Sequence, residues 1–159
     1  LDDQGSEPLP DPIRERLRDG ISVYAARRAA SKLHLLGDVS PLDLDSLQGK
    51  RVSLVSGIAR PNSFRRSAEA LGATVVRELR FRDHHTFRAE DLAPLREDDR
   101  EEPTDLWLTT EKDALKILPK WVRPAVLQVL EIEAEIEAED ALLDEIEEVL
   151  REMGRLGRT

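Results

Sequence analysis

The sequence contains no cysteine. Disulfide bonds and cysteine-ligated zinc are therefore excluded, and the composition fits a reducing compartment. The sequence also lacks any apolar run of the roughly 18 residues that a membrane-spanning helix requires, and its first residues do not resemble a signal peptide. We therefore expect this chain to be soluble and to have no transmembrane segment.

Basic residues are outnumbered, because 24 Lys and Arg stand against 33 Asp and Glu and leave a formal net charge of −9. Proteins that bind nucleic acids in general draw most of their affinity from a basic surface, so we expect no nucleic-acid partner. The 159 residues, 40% of them apolar, are sufficient for one ordinary domain with a hydrophobic core. Because the sequence begins at Leu1 and its single methionine is Met153, we expect it to be a piece of a longer protein.

Strands and helices are predicted to alternate from residue 50 onward. Glycine and proline mark their limits, as where Pro61 opens a helix and Gly72 ends it. Strands are predicted at 51–56, 74–81, 106–109 and 126–136, and helices at 61–71, 89–97, 110–118 and 138–153. This alternation predicts an α/β fold, a mostly parallel, Rossmann-like sheet with flanking helices.

The residues before this region predict a different organisation. A linker with a short helix at 12–19 is predicted for residues 1–20, and two short strands at 21–26 and 33–36 predict a two-stranded linker over 21–48. The α/β domain itself is predicted over residues 49–159.

Three loops rich in polar residues each follow a predicted strand. They are 57–61, 83–85 and 109–113. Ligands of parallel α/β sheets bind outside the carboxyl ends of the strands, and these loops should open onto that edge together. The order of the loops therefore predicts a site at this edge.

The first candidate at this edge is the sequence Asp83-His84-His85. It fits a metal site, an acid/base group oriented by a carboxylate, or a polar loop in which Asp83 accepts bonds from backbone amides. A metal site needs three or four ligands, and without cysteines only His34 and carboxylates remain to complete it. We therefore predict no metal site.

The second and third candidates are the other two loops. Thr110 and Asp113 form a capping-box pattern, and the intervening Glu111 and Lys112 lie where a helix start favours an anion. Gly57 permits a tight turn and Arg60 can meet a phosphate, although a plain strand-to-helix turn explains both.

Four blocks of residues together resemble the C-terminal half of tetraacyldisaccharide 4'-kinase, an enzyme family of lipid A biosynthesis in Gram-negative bacteria. The order and spacing of the blocks agree over about residues 20–136. The blocks are 56–61 with Phe64, 71–73, 81–85 and 109–116.

The resemblance implies an enzyme with an N-terminal P-loop domain at the cytoplasmic face of the inner membrane. That enzyme transfers the γ-phosphate of ATP, bound with Mg2+, to the 4'-hydroxyl of a lipid A precursor, a disaccharide 1-phosphate. The present sequence has no Gly-x-x-x-x-Gly-Lys-Ser/Thr loop, so the resemblance implies that the P-loop domain is its partner. We expect the chain to hold neither ATP nor Mg2+ by itself and to be inactive alone.

The resemblance also implies roles for individual residues. His84 matches the family histidine that faces the catalytic aspartate of the other domain, and Asp83 matches its neighbour. The remaining residues of the three loops are candidates for lining the substrate or nucleotide cleft, with no role assigned to any of them. They are Gly57, Arg60, His85, Thr110, Glu111, Lys112 and Asp113.

Two alternatives remain open at this point. One is a manganese phosphoesterase of the Asp-His-His type, although the additional aspartates that such enzymes need at earlier strand ends are not found in this sequence. The other is a binding module without catalytic activity.

Overall fold

The structure is a computed structural model, and it describes residue 13 and residues 15–17, 21–96, 103–123 and 126–154. The strands are β1 (Ala26–Leu35), β2 (Arg51–Ser56), β3 (Thr74–Arg80), β4 (Leu106–Thr110) and β5 (Leu127–Ile136). The α-helices are α1 (Pro61–Ala70), α2 (Glu111–Ala114) and α3 (Glu139–Glu152), and short 3-10 helices lie at Leu44–Leu47, Ala93–Arg96 and Pro119–Trp121. The helix predicted at 12–19 falls largely outside the described residues.

The strands form one sheet in the order β1-β5-β4-β2-β3. β2 is parallel to both β3 and β4, and β4 is parallel to β5. β1 is antiparallel to β5, because Leu36 N bonds to Leu127 O near one end and Glu137 N bonds to Ala25 O at the other. The predicted α/β fold with a mostly parallel sheet is therefore confirmed.

The central strands β2 and β4 are buried on both faces, as expected for parallel strands covered by helices and loops. One apolar cluster joins Leu54 and Leu108 of the sheet to Phe64 and Ala68 of α1. A second cluster, on Val55, Trp107 and Leu127, includes Phe87, Leu92 and Leu95 from the segment after β3. These two clusters hold the carboxyl ends of β2, β3 and β4 in place.

The two short strands predicted at 21–26 and 33–36 are wrong as drawn: the structure has a single strand, β1, which begins only at Ala26, and residues 21–25 are not part of it. Polar residues between the apolar runs suggested a break, but they lie on a strand that pairs its charges with β5. Arg27 bonds to Glu135 at 2.6 Å and Lys32 to Glu131 at 3.4 Å. β5 itself, predicted near an edge, lies next to the edge strand β1.

Two predicted helices are shorter than expected. The helix predicted at 89–97 is only a 3-10 turn at Ala93–Arg96, because Pro94 cannot continue an α-helix. The helix predicted at 110–118 ends at Ala114, and Ile117 N then bonds to Ala114 O in a tighter turn. α1 and α3 agree with their predicted limits to within about two residues, which is the usual uncertainty of helix ends.

The chain divides into two compact units, residues 29–133 and residues 1–28 with 134–159. The first contains the buried core and all three polar loops. In the second, Tyr24 donates a hydrogen bond to Glu145 of α3 at 2.7 Å, which raises the pKa of the tyrosine and lowers that of the glutamate. The limits predicted above for the linkers and the α/β domain stay predictions.

Candidate functional site

The loops that follow β2, β3 and β4 meet at Gly57. Its N–H donates to a carboxylate oxygen of Asp113 at 2.7 Å, and its carbonyl accepts from His84 N at 3.1 Å. A side chain at Gly57 would place its Cβ 3.0 Å from the Cβ of His85 and 3.3 Å from the carbonyl oxygen of Arg82. Only glycine fits without displacing these neighbours, so the close approach of the three loops explains this residue.

Asp113 is fully buried and does not line an open cleft. Its Oδ2 accepts from Thr110 Oγ1 at 3.1 Å in addition to Gly57 N, and its Oδ1 accepts from Lys116 Nζ at 3.0 Å. Thr110 in turn accepts from Asp113 N at 3.2 Å, which is the helix cap that the sequence predicts. The carboxylate carries its charge into the interior because these donors compensate it.

Asp83 and His84 form the exposed end of the loop after β3. The His84 side chain is 91% exposed, and its Nε2 lies 3.8 Å from an oxygen of Asp83. His84 has a φ of 59°, in the left-handed region, and its N–H lies 3.1 Å from Asp83 Oδ1. The predicted bond from a backbone amide to Asp83 is therefore present, and the backbone presents the imidazole ring to solvent.

His85, unlike His84, lies in an aromatic cluster. Its ring stacks on Phe81 with centroids 4.5 Å apart and meets the edge of Phe87 at 5.0 Å. Its Nε2 lies 3.0 Å from Asp91 Oδ2, which also accepts from Arg88 N at 2.8 Å. The hydrogen bond from His85 holds the pKa of Asp91 below its ordinary value of 3.8. The two adjacent histidines thus have separate environments.

Replacing Asp91 by alanine is expected to lower the free energy of unfolding by about 1–3 kcal/mol at pH 7, because two hydrogen bonds to a charged group are lost. The folded-state pKa of Asp91 is depressed, so its contribution is present above the unfolded-state pKa and is lost as the pH falls through the folded one. The difference from wild type should therefore begin to decrease near pH 4 and be lost as the pH falls further, through the folded-state pKa. Urea denaturation between pH 7 and pH 3 measures it, with the exposed Glu90→Ala as control; an equal difference at every pH would contradict this account.

The remaining predicted site residues, Arg60, Glu111 and Lys112, are exposed around these loops. Two residues that support the loops were missed from the sequence. Lys116 could have been found from its i, i+3 spacing to Asp113, since such pairs share one side of a helical turn. The hydrogen bond between His85 and Asp91 has no comparable signature in the sequence, because the two residues lie six positions apart in an irregular loop.

The described part of the chain contains no group of three or more His, Asp or Glu side chains that could hold a metal ion. Among the same residues, no helix combines the length and apolar content needed to cross a membrane.

The fold and the loops define a Rossmann-like α/β unit with a polar edge at the carboxyl ends of its strands. The family described as tetraacyldisaccharide-1-P 4'-kinase matches residues 6–151, and the chain belongs to this family. The resemblance inferred from the four blocks is thereby confirmed.

Two curated relatives agree with this assignment. The tetraacyldisaccharide 4'-kinase of Anaeromyxobacter dehalogenans (strain 2CP-1) is 40% identical over 139 residues, 84% of this chain and 36% of the relative. That of Chelativorans sp. (strain BNC1) is 33% identical over 148 residues, 88% of this chain and 39% of the relative. The chain thus spans little more than a third of the length of these relatives.

A solved structure supports the fold. It is the "apo" form of LpxK from Aquifex aeolicus in complex with ATP, with a TM-score of 0.55 and 21% identity over 84% of this chain and 38% of the other.

Proposed function

We propose that this chain is the C-terminal part of a kinase that transfers the γ-phosphate of ATP to the 4'-hydroxyl of tetraacyldisaccharide 1-phosphate in lipid A biosynthesis. The observation that carries the proposal is the family match over residues 6–151. The matching segments cover only 36% and 39% of two relatives named as this kinase, so the chain corresponds to a part of such an enzyme. The Asp-His-His phosphoesterase is not favoured, because it requires a cluster of metal ligands that the described residues do not form.

The proposal gives His84 a direct role. In phosphoryl transfer the acceptor hydroxyl oxygen forms a bond to the γ-phosphorus, the bond to the β-phosphate oxygen breaks, and the hydroxyl proton passes to a carboxylate base. In the proposed kinase that base belongs to the N-terminal domain, and His84, assisted by Asp83, orients it across the cleft. The exposure of the His84 ring supports this role, because a buried imidazole could not meet a second domain.

ATP and Mg2+ are assigned to the N-terminal P-loop domain in this proposal. The sequence has no phosphate-binding loop of the P-loop type, and the LpxK of similar fold was solved in complex with ATP. We propose that the complete enzyme acts at the cytoplasmic face of the inner membrane, where its lipid acceptor is located. Arg60, Glu111 and Lys112 remain candidates for contacts with substrate or nucleotide.

The 159 residues alone are expected to have no kinase activity, whereas the same chain produced together with its upstream coding sequence should be active. The measurement is transfer of radiolabelled phosphate from ATP to tetraacyldisaccharide 1-phosphate in detergent micelles. The upstream sequence should encode a Gly-x-x-x-x-Gly-Lys-Ser/Thr loop, and a Lys→Met variant of that loop is the control.

Two results would contradict the proposal. Activity of the isolated 159 residues would show that this chain binds and uses ATP by itself. An upstream sequence without a phosphate-binding loop would remove the domain on which the proposal depends.

A further inference from the structure

The strand order places the topological switch point of the sheet between β2 and β4. From β2 the chain moves to β3 on one side and then returns to β4 on the other. In open α/β sheets, ligands commonly bind in the crevice at this point, where a backbone amide of the first loop meets an anionic group. Gly57 follows β2 and Asp113 follows β4, so both residues lie at this crevice.

The crevice is occupied by a side chain of the protein itself. The Asp113 carboxylate accepts from Gly57 N at 2.7 Å, from Thr110 Oγ1 at 3.1 Å and from Lys116 Nζ at 3.0 Å. The Asp113 side chain is fully buried. An internal anion thus takes the position that a phosphate takes in many nucleotide-binding folds.

Gly57 connects this carboxylate to the loop after β3 through two hydrogen bonds. Its N–H is held by Asp113, and its carbonyl accepts from His84 N at 3.1 Å. Because Gly57 has no side chain, the loop after β3 can also pack closely against it. A Cβ atom at position 57 would lie only 3.0 Å from the Cβ of His85. The backbone of His84 is therefore fixed through one intervening residue.

We propose that Asp113 is a positioning residue for the kinase reaction. Asp113 accepts a hydrogen bond from Gly57 N and so fixes the position of Gly57, whose carbonyl accepts from His84 N. It thereby fixes the direction of the His84 ring. Its carboxylate also fills the switch point, so that no ligand can bind there. This inference rests on the proposed function, in which His84 acts at the cleft.

The chain offers a matched control at the opposite end of the same two strands. Asp105, just before β4, accepts from Arg51 N at the start of β2 at 2.8 Å. Both aspartates thus join β2 to the β4 segment through one amide, but only Asp113 lies beside Gly57. Asp105→Asn therefore makes the same chemical substitution at a bond far from His84.

Asp113→Asn is the main variant because it keeps the shape of the side chain. An amide group has one oxygen, which the Lys116 ammonium should attract, so the amide NH2 turns toward Gly57 N–H and the bond is lost. In the longer kinase we expect kcat to fall by about 100-fold, with KM for ATP within about twofold of wild type, because a small misplacement of a positioned group is costly. Asp105→Asn should leave kcat unchanged.

The double variant Asp113→Asn with Lys116→Met supplies the rescue. Without the ammonium, the amide oxygen is available to Gly57 N–H again, and kcat should return to within about tenfold of wild type. If the double variant is no better than Asp113→Asn alone, or if Asp105→Asn lowers kcat as much as Asp113→Asn does, the positioning role is wrong.

Amide hydrogen exchange in the 159-residue chain separates this inference from the proposed function. In Asp113→Asn, the amides of Gly57 and His84 should exchange at least about tenfold faster, and those of β3 should not change. An unchanged His84 amide overturns the inference even if the kinase is confirmed. A longer protein without kinase activity overturns the proposed function, and the exchange data still decide whether Asp113 holds the His84 loop.

Discussion

Replacing His84 by alanine is expected to lower the kcat of the longer kinase by at least about 100-fold, with little change in KM for ATP. The ring of His84 is proposed to orient the base that takes the hydroxyl proton, and positioned groups of this kind contribute to the transition state more than to nucleotide binding. Because the side chain is 91% exposed, its removal should change the free energy of unfolding by less than about 0.5 kcal/mol. Steady-state kinetics with ATP and the lipid acceptor measure the effect.

His34→Gln is the control for this variant. His34 lies on β1, where its Nδ1 bonds to the carbonyl of Asp38 and its Nε2 lies 3.3 Å from Glu131. These partners lie outside the three polar loops, so the replacement of His34 should leave kcat unchanged. An unchanged kcat in His84→Ala would remove His84 from the mechanism.

The largest loss of stability is expected from Phe64→Ala, which should lower the free energy of unfolding by about 3–5 kcal/mol. Phe64 is 1% exposed and joins α1 to the side chains of Val52, Leu54 and Leu108 on one face of the sheet. Its truncation leaves a cavity beneath the helix that follows the Gly57 loop, and this part of the core cannot close without moving α1. Urea denaturation followed by circular dichroism measures the difference.

Leu115→Ala provides the comparison for Phe64→Ala. Leu115 is 86% exposed, so the same kind of truncation should change the free energy of unfolding by less than about 0.5 kcal/mol. Similar losses in the two variants would mean that the packing of α1 described above is wrong.

The central sheet could be predicted because its residues carry local patterns. β2 is a β-branched run that ends at a glycine, and α1 begins at Pro61 and ends before Gly72, which has a φ of 78°. The alternation of such units also predicts that the polar loops share an edge, since the rule for parallel strands is general. The family match agrees with what the four blocks indicate.

The contacts of individual loop residues could not be predicted in the same way. The bond from Asp113 N to Thr110 is local and follows from spacing, but the bond from Gly57 N to the Asp113 carboxylate joins residues 56 positions apart. It depends on the register of β2 against β4, which a single sequence does not specify. For the same reason, the different orientations of His84 and His85 could not be predicted from their adjacency.

The antiparallel pairing of β1 with β5 has a consequence for synthesis of the protein. Leu36 bonds to Leu127, about 90 residues later, so β1 leaves the ribosome roughly 5–20 s before its partner at ordinary rates of translation. During that interval its backbone groups are available to other chains, and strands in this condition promote aggregation. Arg27 and Lys32, which later pair with glutamates of β5, give the strand charges that oppose such contacts. The charges of Arg27 and Lys32 therefore act against aggregation of the newly made chain before they form ion pairs with β5 in the finished sheet.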